Sequence, residues 1–187
     1  QVDLEAAKEK GIAVFNAPFS NTRSVAELVI ASTIMLIRRI PEKNQAAHEG
    51  VWLKESKNSH EVRGKKLGII GYGHIGSQVS VLAESLGLVV YYFDVESKLP
   101  LGNANIAESL MDIIDICDII TLHVPAIPST VNLFDKKVIS CFRPGQYLIN
   151  MSRGNVVDIE ALTDSLKNGQ ESPNFKSSVT ASLIPLG

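Results

Sequence analysis

Cysteine is scarce in this chain: there are two, Cys117 and Cys141, with no CxxC spacing. That excludes a disulfide framework and fits a reducing cytoplasm, with both thiols as small buried hydrophobes. No apolar run reaches the roughly 20 residues needed to span a bilayer, because Arg38 and Arg39 interrupt the longest candidate. A signal-peptide pattern is missing as well. The formal net charge of -2 lacks the excess of one sign that nucleic acid or an anionic membrane surface would call for. There is no internal repeat, no low-complexity tract, no metal-ligand spacing and no starting methionine; Gln1-Val2-Asp3 reads as the interior of a longer protein. What remains is 45% hydrophobic and 20% charged, the make-up of an ordinary globular protein. The 187 residues suffice for one core of roughly 100–150 residues and remnants of another.

Hydrophobic periodicity divides the chain. Asp3 to Glu9 predicts a short helix ended by Gly11, and Ile12, Val14 and Phe15 a brief strand broken at Pro18. Val25, Leu28, Val29, Ser32, Met35 and Leu36 recur at helical spacing. Ser24 with Glu27 resembles a capping box, so this helix is expected to start there and to end before Pro41. Glu42 to Glu49 predicts a polar helix, and Lys54 to Arg63 a charged surface stretch. From Lys66 the texture changes to alternation. Strands are expected over Leu67 to Ile70, Leu88 to Phe93, Asp118 to His123 and Tyr147 to Asn150. Helices are expected over Ile75 to Leu86, Ile106 to Ile114, Asp135 to Phe142 and Asp158 to Leu166. Such alternation implies βαβ units and an α/β fold with a parallel sheet covered on both faces.

The chemistry-bearing motif is Gly71-Tyr72-Gly73-His74-Ile75-Gly76. A GxGxxG sequence alone is weak, but this one follows a strand and opens a helix, and Asp94 stands at the end of the next strand. Gly71 permits the tight turn, Gly73 lets a pyrophosphate approach the backbone, and Gly76 allows helix to pack on strand. The helix N-terminus offers free N–H groups and partial positive charge. Asp94 would accept hydrogen bonds from both adenosine ribose hydroxyls and repel a phosphate there, and no Arg follows within several residues. NAD is therefore favoured over NADP, and the fold class is a Rossmann-type doubly wound parallel sheet. The bland alternative is a glycine-rich turn without a ligand.

Further blocks give the chain a family resemblance. They are Phe15-Asn16-Ala17-Pro18, Asn21 to Glu27, Arg63 to Gly76, Lys98-Leu99-Pro100-Leu101-Gly102-Asn103-Ala104, His123-Val124-Pro125 and Asn150-Met151-Ser152-Arg153-Gly154. In this order, over Gln1 to about Asn168, the sequence resembles the D-isomer-specific 2-hydroxyacid dehydrogenases. The Lys98 to Ala104 block marks the branch that oxidises 3-phosphoglycerate in serine biosynthesis. The resemblance implies that His74 and Ile75 lie against the pyrophosphate and that Asp94 holds the ribose. It also implies that His123, Val124 and Pro125 shape the cofactor site and that Met151 and Ser152 line the nicotinamide side. Arg153 matches the family's catalytic arginine, which grips the substrate carboxylate; a guanidinium does this in a two-pronged geometry and stays charged. A plain surface salt bridge is the alternative for Arg153.

The resemblance also has gaps. The family's proton-transfer pair is a histidine oriented by a glutamate, and none of His48, His60, His74 and His123 lies in a matching motif. His48 and His60 are expected to be solvated. By resemblance, 1–20 is a remnant of a substrate domain, 21–170 the NAD-binding domain and 171–187 an atypical tail, so the fold is expected to be incomplete at both ends. The helix from Ser24 to Ile40 would pack at a subunit interface in a homo-oligomer, although a core helix would look the same. The expectations are an NAD-dependent oxidoreductase of a small 2-hydroxy acid in the cytoplasm, with this chain alone catalytically incomplete. The other readings are an NAD-binding regulator on the same fold and a non-functional truncated remnant.

Overall fold

A computed structural model of the chain describes residues 2–15, 17 and 19–171. Pro18 and nearly all of the 171–187 stretch lie outside them. Among the described residues seven helices flank a five-stranded sheet: α1 (Leu4–Glu9), α2 (Thr22–Ile37), α3 (Ile40–His48), β1 (Lys66–Ile70), α4 (His74–Ser85), β2 (Val89–Phe93), β3 (Asn105–Ile106), α5 (Leu110–Ile116), β4 (Ile119–Leu122), α6 (Lys136–Ser140), β5 (Tyr147–Asn150) and α7 (Ile159–Glu171). The sheet order is β3-β2-β1-β4-β5 and every pairing is parallel. The chain leaves β1 for β2 on one side and later returns to β4 on the other. The carboxyl ends of β1 and β4 thus flank the point where the winding reverses, which is where open α/β sheets bind ligands.

Both faces of the sheet are covered, and strand alternation shows how. Leu67, Ile69, Ile119 and Ile149 pack with Val25, Val29, Val79 and Ala83 of α2 and α4. Their neighbours Ile70, Ile120, Leu122 and Leu148 pack with Ile113 and Ile114 of α5, Ile139 of α6 and Leu162 of α7. Each fully buried aliphatic side chain contributes about 1.5–3 kcal/mol, so this interleaving is what holds the crevice edge in place. Among the described residues no helix is long and apolar enough to cross a membrane.

Several expectations are corrected. Ile12 to Phe15 is not a strand: no described strand lies beside it, and Ile12, Val14 and Phe15 are exposed. α2 begins two residues before Ser24, at Thr22, with Asn21 as N-cap. Ser24 Oγ donates to the Asn21 carbonyl and Glu27 accepts from Arg23, so no capping box forms. α2 ends at Ile37, and Pro41 falls in the first turn of α3, where a missing N–H costs nothing. Arg39, at φ 56, makes the turn between them. The helix expected from Ile106 starts only at Leu110, where Ser109 and Asp112 form a true capping box, and Ile106 belongs to β3. Cys117 is buried, and burial, with Asp118 nearby, pushes its thiol up to about 12. Cys141 is exposed, contrary to expectation, because it caps the solvent-facing end of α6, with its thiol turned to the Lys137 carbonyl. His48 and His60 are exposed.

Candidate functional site at the carboxyl edge of the sheet

The residues singled out from sequence fall at the carboxyl ends of four neighbouring strands. Gly71 to Gly76 follows β1, Asp94 follows β2, His123 to Pro125 follows β4, and Met151 to Arg153 follows β5. Gly71 has φ +91, and a Cβ there would stand 2.7 Å from the His123 carbonyl oxygen. A Cβ on Gly76 would stand 2.1 Å from the Gly71 carbonyl oxygen. These two glycines are thus required by the fold itself. Gly73 is different. Its φ of -79 and ψ of -156 suit any residue, and a Cβ there would meet nothing within 4 Å. The space above it is what the glycine keeps open. Gly73 is also the N-cap of α4 without a side-chain cap, so the first amides of that helix are offered outward.

Asp94 is half-buried and already engaged. Oδ2 accepts the Tyr72 N–H at 2.7 Å and Oδ1 accepts the Glu96 N–H at 2.9 Å. Two fixed amides aim the carboxylate while leaving each oxygen a free lone pair. Beneath it the Tyr72 and Tyr92 rings stack at 3.7 Å. The Tyr72 hydroxyl donates to Ser80 and accepts from Leu101 N–H, and the Tyr92 hydroxyl donates to the Lys98 carbonyl. Burial, then Tyr72 and Asp94, raise the Tyr92 pKa, which keeps that donor proton in place. The Lys98 to Ala104 segment is therefore strapped over the loop, a role for the tyrosines that no sequence pattern announced.

Beyond β4, His123 Nε2 shares a hydrogen bond with Thr121 Oγ1 at 3.0 Å. Its Nδ1 is shielded and has no partner among the described residues, although the residue as a whole is half-buried. Burial pushes the imidazole down to about 3, so the ring is held as a neutral N–H tautomer and not as an imidazolium. Val124 is half-buried and Pro125 exposed. His74 is exposed at the start of α4, where the Phe19 ring meets it edge-on at 4.5 Å, a contact that sequence reading missed. Ile75 is half-buried.

Beyond β5, Met151 is buried, Ser152 half-buried and Arg153 exposed. Asn150, buried, organises this turn. Its Oδ1 accepts from Ser152 N and Oγ at 3.0 and 2.7 Å, and its Nδ2 donates to the Arg153 carbonyl at 2.9 Å. The Arg153 guanidinium makes one bond, to the Ser152 carbonyl, and no carboxylate pairs with it among the described residues. The surface salt bridge considered for Arg153 is not seen among the described residues. No group of three or more His, Cys, Asp or Glu able to hold a metal occurs among the described residues.

The site fits a dinucleotide. It has outward amides at a helix N-terminus, open space over Gly73, an aimed carboxylate at the end of β2 and, across the crevice, a guanidinium with no carboxylate partner among the described residues. Comparisons with known proteins agree. The family described as D-isomer specific 2-hydroxyacid dehydrogenase, NAD binding domain, matches residues 30–172. D-3-phosphoglycerate dehydrogenase of Haemophilus influenzae is 59% identical over 170 residues, covering 91% of this chain and 42% of that protein. The chain thus spans less than half the length of this relative. An NAD-dependent formate dehydrogenase from Staphylococcus aureus, crystallised with NAD, superposes with a TM-score of 0.79 at 34% identity over 89% of this chain and 51% of its own. An acyclic imino acid reductase in complex with NADPH and D-Arg has a TM-score of 0.77 at 29% identity, over 89% of this chain and 54% of its own.

Proposed function

The chain belongs to the D-isomer specific 2-hydroxyacid dehydrogenases and carries their NAD-binding domain; from that premise we propose that the protein containing it oxidises 3-phosphoglycerate to 3-phosphohydroxypyruvate with NAD. The observation that carries this reading is the pairing, at one sheet edge, of an aimed carboxylate at Asp94 with a guanidinium at Arg153 that meets no carboxylate among the described residues. The 59% identical phosphoglycerate dehydrogenase supports the choice of substrate.

NAD, when bound, supplies the acceptor for the hydride that leaves C2 of the hydroxy acid. The α4 amides and the opening over Gly73 receive its pyrophosphate, with His74 and Ile75 against it. Asp94 takes the ribose hydroxyls, and Met151 and Ser152 line the nicotinamide side, with His123 to Pro125 shaping the wall. Arg153 grips the substrate carboxylate and draws electron density from the oxygen on C2, while Asn150 fixes the turn on which it stands. In this reading 1–20 is a substrate-domain remnant, 21–170 the NAD-binding domain and 171–187 an atypical tail, and the whole protein works as a homo-oligomer in the cytoplasm. The neutral, enclosed His123 leaves proton transfer to groups elsewhere in the full-length protein.

The test is an assay of the full-length protein with NAD and 3-phosphoglycerate, D-lactate and formate in parallel. The reading requires 3-phosphoglycerate to be preferred by at least tenfold in kcat/KM. Preference for an unphosphorylated acid would replace the substrate, and tight NADH binding without turnover of any acid would favour a regulator.

A further inference from the structure

We propose that Glu96 is a cofactor-specificity residue: by holding the Lys98 ammonium it withholds the sole cation of the loop after β2 from a phosphate on the adenosine ribose. The proposal rests on the reading of Asp94 as the ribose carboxylate.

From Asp94 to Asn105 the sequence holds two carboxylates, Asp94 and Glu96, and one cation, Lys98. A cation near this strand end is what an NADP site needs, because the 2′-phosphate must be neutralised. Lys98 is the one cation this stretch offers. Its backbone is pinned, since its carbonyl takes the Tyr92 hydroxyl at 2.7 Å, Leu101 N–H reaches Tyr72 and Asn103 N–H reaches Glu84 at 2.9 Å. The Lys98 and Glu96 side chains are 36% and 71% exposed, so the pair lies at the surface where a ribose phosphate could reach it.

What keeps Lys98 from serving is its neighbour. The Asp94 carboxylate accepts the Glu96 N–H and so turns residue 96 back along the loop. Glu96 Oε2 then accepts directly from Lys98 Nζ. The hydrogen bond to Glu96, its charge and more weakly that of Asp94 raise the Lys98 pKa, so both carboxylates act on the same ammonium. The trio carries one net negative charge, which a ribose phosphate would meet as repulsion. As a contribution to stability an exposed pair of this kind is worth little, but specificity is a difference between two affinities, and a repulsive element against the competitor is enough. The same fold accommodates NADPH in another protein, so the discrimination falls to local groups such as these.

The experiment titrates NADP and NAD into the full-length protein and into Glu96→Gln, Lys98→Gln and the double variant, reading the ratio of the two affinities. Thermal melts check that each variant is folded. Glu96→Gln should raise the NADP-to-NAD affinity ratio about three- to fivefold, the scale of one exposed ion pair. The gain should vanish in the double variant and shrink in high salt. A ratio unchanged in folded Glu96→Gln overturns the proposal. So does a gain that survives in the double variant, because Lys98 would then not be the group released. Asp94→Asn is measured beside them: if it weakens NAD while Glu96→Gln is silent, only the Glu96 proposal falls. If Asp94→Asn leaves NAD binding unchanged, the ribose reading falls and takes the proposal with it.

Discussion

The two ends of the crevice are built differently. At the β1–β2 end, almost every polar group is already spoken for: two amides aim Asp94, two tyrosines strap the following loop, and Glu84 ties Asn103. At the β5 end the backbone is equally fixed by Asn150, yet the reactive group is an exposed guanidinium bonded to one carbonyl. The first end is fixed in place by its own hydrogen bonds, as the proposed ribose receptor would need to be. The second offers a charge that becomes useful when another part of the protein, or a substrate, closes over it. On the proposed reading, a chain that covers 42% of the length of a phosphoglycerate dehydrogenase would hold the adenosine-side groups and one residue of the catalytic set.

The largest effect that would sharpen this contrast is at Arg153. In the full-length protein Arg153→Gln should lower kcat/KM about a thousandfold, as loss of a bidentate charge contact in a closed site does, while NADH affinity stays within about threefold. Equal losses in both would erase the distinction between the ends. The 187-residue segment alone should bind NADH, followed by fluorescence, and give no turnover with phosphohydroxypyruvate; measurable oxidation would mean that the second end is complete too.

Next in size is Gly76→Ala. Its Cβ has no room against the Gly71 carbonyl, so a melting experiment should show a destabilisation of about 2–4 kcal/mol. Asp94→Ala should weaken NAD about tenfold, the scale of a charged hydrogen-bond pair, and relax discrimination against NADP. Isothermal titration reads both, and unchanged affinities would remove Asp94 from the receptor.

The last concerns pH. His123 titrates near 6.5 when unfolded and is held down to about 3 when folded. The unfolded chain therefore binds the extra proton between those values, and stability contributed above pH 6.5 is lost as pH falls toward 3. His123→Gln should flatten that acid limb in denaturant titrations at pH 4.5 and 7; an unaltered slope would show that the ring is not enclosed as described.

What was legible in the sequence follows the same division. β1, β4 and β5 are short apolar runs closed by turn residues, and Gly71 to Gly76 with Asp94 states its own geometry, because backbone constraints demand specific residue types. Side chains that act on one another at a distance leave no such trace. Nothing in the spacing of Tyr72 and Tyr92 foretells a stacked pair beneath a strap, and Glu84 reaching Asn103 is a tertiary event. β3 spans two residues paired to Tyr91 and Tyr92, too short for any period to register. Ile12 to Phe15 shows the converse: strand-forming residues make no strand unless a neighbour offers a free edge. Ser24 and Glu27 met the pattern of a cap, yet other partners outcompeted it.

Gly73 sets an unusual condition on how this protein can fail. Its backbone torsions are ordinary and no atom crowds it, so an alanine there would leave the core and the sheet in place and cost only the modest penalty of a poorer helix N-cap. The methyl group would stand in the open space that the proposed reading gives to the dinucleotide. Such a variant would accumulate normally, escape chaperones and proteases that sense exposed apolar surface, and still be deaf to its cofactor. Abundance would say nothing about it; only a ligand would notice.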